Sequence, residues 1–137
     1  MNPVLQIVLV LAVFAHAVGH IFFLAPALGI AGWGQSGRSW MLTDVIGSPL
    51  THTLGAGIWS LVILAYLAGI YSYLTSGDGW TQLLTGASLL SAIGLILFWD
   101  KSAPVRSAMA FNLIVILALQ VFYGPVSETI TRMYSGI

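Results

Sequence analysis

Eight charged residues interrupt an otherwise apolar chain: Arg38, Asp44, Asp78, Asp100, Lys101, Arg106, Glu128 and Arg132. Between them lie four charge-free stretches, Met1–Gly37, Val45–Gly77, Gly79–Trp99 and Ser107–Ser127. Each reaches the roughly 20 apolar residues that a membrane-spanning helix needs. The pattern predicts an all-α integral membrane four-helix bundle, a single transmembrane domain over 1–137 with spans at about 4–28, 49–74, 79–100 and 104–123. It leaves no room for a soluble domain. The first stretch has no basic n-region, and its apolar run is too long for a signal-peptide core, so it reads as a span.

Capping chemistry sets the ends. Ser48-Pro49 reads as an N-cap with proline at the first helical position, and Ser102-Ala103-Pro104 opens the fourth helix in the same way. Asp78 is the expected cap of the third. Ser76-Gly77 and Gly124-Pro125 are the expected stops, and Pro26 is expected to bend or end the first helix. The segments 30–47 and 126–137 are expected to lie in the membrane interface. The first carries an apolar patch of Trp40, Met41, Leu42 and Val45 that would fold over the bundle mouth. Tyr71, Tyr73, Trp80 and Tyr123 mark one membrane boundary, and Trp33, Trp40 and Trp99 mark the other. Trp59, well inside the second span, reads as a packing residue.

Composition narrows the class. The chain is 58% hydrophobic and 6% charged, with four Lys+Arg against four Asp+Glu. That charge is far too little to wet a soluble surface. It excludes a disordered chain and, with no basic footprint, a nucleic-acid binder. The absence of cysteine removes Cys-ligated cofactors and disulfides. Arg38, Lys101 and Arg106 on the first and third loops outnumber Arg132 in the tail, so both termini are expected outside.

Five residues carry candidate chemistry. His16 and His20, one helical turn and about 6 Å apart on one face, share a half of the bilayer with His52, Asp100 and Asn112. Such residues face a bundle interior and mark ligand or proton sites. Three readings fit the His16-x3-His20 pair: a metal chelate of His16 and His20, a pocket that hydrogen-bonds a quinone or shuttles protons, or imidazoles that pair with neighbouring hydroxyls, amides and carbonyls and hold helices together. The zincin motif is absent, because Ala17 stands where its glutamate would be. Ala15, Gly19, Gly86 and Gly94 are expected to let helices approach closely. Asp100 and Lys101 read as an interfacial ion pair, and Arg38, Trp40, Trp80 and Trp99 as lipid-interface residues.

Four short spans with a long first loop, and the segments HAVGHIFFLAP (16–26) and GQSGRSWMLTD (34–44), resemble the DoxX-like group of small prokaryotic membrane proteins. That resemblance implies a prokaryotic cell membrane and association with quinone-linked oxidoreductases. Small multidrug transporters share the size but depend on a carboxylate in the first helix, which this chain lacks. Two functions remain. One is an accessory or assembly subunit of a larger membrane complex, with a protein partner or a second copy beside the lipid bilayer. The other is a quinone- or metal-binding protein built on the histidine cluster.

Overall fold

A computed structural model describes residues 3–30, 36–123 and 132–133. Among these residues all regular structure is helical: α1 (Pro3–Gly19), α2 (Ile21–Ala27), α3 (Thr43–Ile46), α4 (Ser48–Leu74), α5 (Trp80–Leu97) and α6 (Ala103–Tyr123). Four segments are long and apolar enough to cross a membrane: Gln6–Ala27, Ser48–Leu74, Trp80–Leu97 and Ala103–Tyr123. At about 1.5 Å per residue, α5 and α6 are about 27 and 31 Å long, matching a hydrocarbon core of about 30 Å. The chain is therefore an all-α membrane bundle. Trp33, the Gly124-Pro125 stop and nearly all of 126–137 lie outside the described residues.

Span 1 breaks, but not at Pro26. The interruption falls at His20, whose own side chain causes it. The His20 Nδ1–H donates to the His16 carbonyl at 2.9 Å, the acceptor that the His20 backbone N–H would take in an α-helix. That N–H turns instead to Ala17 O at 3.2 Å, a tight i−3 bond of the kind that marks a side chain competing with the helix ladder. Pro26 sits in the last turn of α2, which ends one residue later at Ala27. Gly29 adopts φ 70°, with Gly29 N–H bonded to Pro26 O and Ile30 N–H to Ala25 O. This double closure needs a left-handed residue, which glycine supplies without strain.

Two expected caps are corrected. The N-cap of α4 is Gly47 and that of α5 is Gly79, and neither helix has a side-chain cap. Ser48 already lies inside α4, while Gly79 separates Asp78 from the first turn of α5. At the end of α4 the left-handed residue is Ser76 (φ 54°), not Gly77. The Gly77 N–H reaches Ser72 O at 2.8 Å, and a side chain on Gly77 would press on the Ser72 hydroxyl.

Spans 2 and 3 pack most extensively, then spans 3 and 4, while span 1 leans on span 2. Glycines set the approach of spans 2 and 3. A Cβ on Gly69 would lie 2.5 Å from Leu84 Cδ2, and one on Gly94 would lie 2.9 Å from both Ile58 and the Trp59 ring. Gly19 and Gly86, expected to serve the same purpose, face open space. Two apolar clusters result. One holds Ala17, Val62, Tyr66, Leu84, Ala87 and Leu119; the other holds Phe23, Ala27, Trp59, Leu95, Val105 and Ala108. Trp59 is core, as its depth predicts.

The first loop folds onto the bundle. Its helix α3 is a single turn with Leu42 at the N-cap, and Ser39 closes the turn before it: the Ser39 hydroxyl accepts from Leu42 N–H at 3.1 Å, and Ser39 N–H donates to Thr43 Oγ1 at 2.8 Å. The same hydroxyl donates to Leu97 O at 2.5 Å, and Trp40 Nε1–H donates to Ile96 O at 2.7 Å. The loop thus takes up the Leu97 carbonyl at the end of α5 and adds a second donor to Ile96 O, which also accepts from Trp99 N–H at 3.4 Å. At the other end Trp80 meets Tyr73 and Tyr123 edge-on, at 5.0 and 5.1 Å between ring centres.

Because Gly94 abuts a buried indole, Gly94→Ala should destabilise the protein by about 1–3 kcal/mol through overpacking. Gly86→Ala, in open space, should be neutral or gain up to about 1 kcal/mol. Unfolding of the purified protein in detergent, compared between the two variants, checks this ordering.

Candidate functional site

Between the two apolar clusters lies one layer of polar side chains drawn from all four spans. Asn112, in span 4, is its junction. The Asn112 Oδ1 accepts from His16 Nε2–H at 2.9 Å and from the Tyr66 hydroxyl at 2.7 Å. The Asn112 amide N–H donates to Ser91 Oγ at 2.7 Å. Tyr66 Oη, having given its proton to Asn112, accepts from the Ser88 hydroxyl at 2.8 Å. Ser91 Oγ lies 2.6 Å from His20 Nε2. Tyr66, Ser88, Ser91, Asn112 and His20 are all buried.

These directions fix the tautomers. The His16 carbonyl can only accept, so His20 carries its proton on Nδ1, and its Nε2 accepts the Ser91 hydroxyl proton. Asn112 Oδ1 also only accepts, so His16 carries its proton on Nε2. Each polar group then has one compatible role, and the proton order is single-valued from Ser88 to His16. Rings close the layer sterically. His16 stacks on Phe111 at 4.1 Å and meets His20 edge-on at 4.7 Å, while Trp59 lies 5.8 Å from His20.

Three of the five candidate residues come together here: His16, His20 and Asn112. The other two do not. His52 precedes Trp59 by seven residues, about 10 Å along the helix axis, and its ring lies beside Gly37. Asp100 follows Ser91 by nine residues, about 13 Å, and its Oδ1 accepts from Ser102 N–H at 2.7 Å. Asp100 makes no ion pair with Lys101, since the turn into α6 takes its carboxylate instead. The layer lies at the level of the span midpoints, away from His52 and Asp100. His16, Ser88, Ser91 and Asn112 sit near the midpoints of their spans, whereas the sequence count grouped end and centre residues together. Tyr66, Ser88 and Ser91 were missed. A tyrosine far from either end of its span and two serines one turn apart in mid-membrane were the signals available.

The pairing of imidazoles with a hydroxyl, an amide and a carbonyl accounts for three of the four ring nitrogens. Both nitrogens of His20 are engaged, which leaves that ring no lone pair for a metal. Among the described residues no group of three or more His, Cys, Asp or Glu could hold a metal ion. The remaining nitrogen is His16 Nδ1. His16 lines a crevice of about 350 Å³ between spans 1 and 4, with Gly19, Phe22, Ser107, Ala108 and Phe111 among its other walls. Its rim residues Ala15, Phe22 and Ser107 are exposed on the lipid-facing side. The Ser107 hydroxyl donates its proton to Pro104 O at 3.0 Å, so it too offers the crevice only lone pairs. The crevice therefore presents acceptors, next to a phenyl face.

No family model, no curated protein and no solved structure matches this chain.

Since Asn112 serves three partners, Asn112→Ala should cost about 1–3 kcal/mol or more by leaving them unpaired. Ser88→Ala, which leaves Tyr66 its bond to Asn112, should cost about 0.6 kcal/mol, the typical value of one hydrogen bond between membrane helices. Equal losses in detergent unfolding would contradict the junction role of Asn112.

Proposed function

We propose that the chain is a membrane protein that binds a lipophilic ring compound bearing hydroxyl groups, a quinol, in the crevice between spans 1 and 4. The carrying observation is His16 Nδ1, an acceptor without a partner in a layer where the other polar atoms are paired, set in the wall of that crevice. A quinol hydroxyl supplies the missing donor, and a second hydroxyl can reach Ser107. An oxidised quinone offers only carbonyl acceptors and finds no donor there, so the reduced form is preferred. Phe111 and Phe22 suit a ring, and the volume falls within the range of ordinary ligand sites. The resemblance of 16–26 and 34–44 to DoxX-like proteins points to the same ligand class. It also favours a prokaryotic cell membrane, while the excess of Arg38, Lys101 and Arg106 on loops 1 and 3 favours the cytoplasmic side for those loops and the outside for the termini.

The same open flank favours a second reading, an accessory or assembly subunit whose partner lays a helix along spans 1 and 4. The two differ in what the isolated protein does. A short-chain quinol should raise the unfolding temperature of the purified protein in a concentration-dependent way, and the matching quinone should raise it less. Gly19→Leu, which fills open space in the crevice without touching the polar layer, should abolish the difference. An identical response of the two proteins would mean bulk partitioning and would overturn the quinol reading. A cross-link from Ala15 to another protein in native membranes would support the subunit reading.

A further inference from the structure

A second cavity, of about 300 Å³, lies under the first loop at the opposite end of span 3 from the Tyr73–Trp80–Tyr123 cluster. Its walls differ in chemistry from the His16 crevice. They include Phe98, Trp99 and Trp40, and three charged groups: Arg38, Asp44 and Asp100. Trp59 and Phe23, 5.0 Å apart, form part of the lining from the core side. The loop is held over the cavity by the bonds of Ser39 and Trp40 to the end of α5. At Gly37 the loop passes close to spans 1 and 2, where a side chain would meet Pro26 O at 3.0 Å and the His52 ring at 3.2 Å.

The charged groups are not committed to one another. The Arg38–Asp44 contact is 3.8 Å between two well-exposed side chains, longer than a hydrogen bond and worth little in water. Asp100 uses Oδ1 for Ser102 N–H, which leaves its second oxygen to face a ligand. Carboxylates beside indole and phenyl rings form a donor set for an organic cation, which gains from the ring faces and from the negative charge together. An arginine on the same rim suits a phosphate. Trp40 and Trp99, both exposed, place the cavity at the headgroup level of a bilayer. The molecule that carries an ammonium and a phosphate at that depth is a zwitterionic phospholipid.

We propose that this cavity is a binding site for the headgroup of a zwitterionic phospholipid, with its ammonium among Asp100, Trp99 and Phe98 and its phosphate at Arg38. The chemistry is independent of the His16 crevice and of any ligand there.

The protein in nanodiscs of equal parts phosphatidylethanolamine and phosphatidylglycerol, released into native mass spectrometry, reads which lipid it retains. Phosphatidylethanolamine should be retained preferentially. Asp100→Asn keeps an oxygen for Ser102 N–H, and it should reduce that preference by roughly fivefold, the scale of one cation contact. Trp99→Leu tests the same site without changing charge and should reduce it similarly. Preferential retention of phosphatidylglycerol by the unaltered protein, or an unchanged preference in both variants, would overturn the proposal. If soluble phosphoethanolamine binds in an Asp100-dependent way while neither lipid is retained selectively, the site takes a free phosphoamine and the lipid assignment falls.

Discussion

The hydrocarbon core of a bilayer offers no hydrogen-bond partner, so every polar side chain placed there must be answered by another. In this chain one residue answers most of them. Asn112 has an acceptor that takes two bonds and a donor that gives one, which lets a single amide join spans 1, 2 and 3 to span 4. Leucine at that position would pack as well and join nothing. The dispersion contacts of the two apolar clusters resemble those a helix makes with lipid, and they discriminate weakly between helix partners. The amide supplies the discrimination.

That junction explains features that look unrelated. The orientation in which His20 reaches Ser91 also sends its other nitrogen back to the His16 carbonyl, and the break between α1 and α2 is the backbone's response. The approach of spans 2 and 3 at Gly69 and Gly94 brings Ser88 and Ser91 level with Tyr66. The layer is complete except at His16 Nδ1, and that exception lies where span 1 has leaned towards span 2 and left its other flank to the lipid.

Much of the architecture was legible because charge is so expensive in lipid that eight residues outline the topology by exclusion. The spans agree with the helices to within a few residues for the same reason. Caps were less legible: a glycine in a left-handed conformation displaced Ser48 and Asp78 from the roles their side chains suit, and nothing in residue type alone announces that. The site was half legible. Histidine and asparagine stand out in an apolar run, whereas Ser88, Ser91 and Tyr66 do not, since hydroxyls are common in membrane helices. Depth was misjudged for His52 and Asp100 because residues near a helix end and residues at its centre share a half of the bilayer without sharing a level.

The layer also imposes an order on biogenesis. Span 1 leaves the ribosome before spans 2, 3 and 4, yet the partners of its histidines, Ser91 and Asn112, belong to spans 3 and 4, and the loop after it closes on the end of α5. Span 1 must therefore wait in the bilayer, with His20 Nε2 and His16 Nε2–H lacking their partners, until span 4 has been synthesised. Among the four spans the earliest made is the last to find its partners, and for that interval it is the form of the protein that insertion factors and membrane proteases would meet.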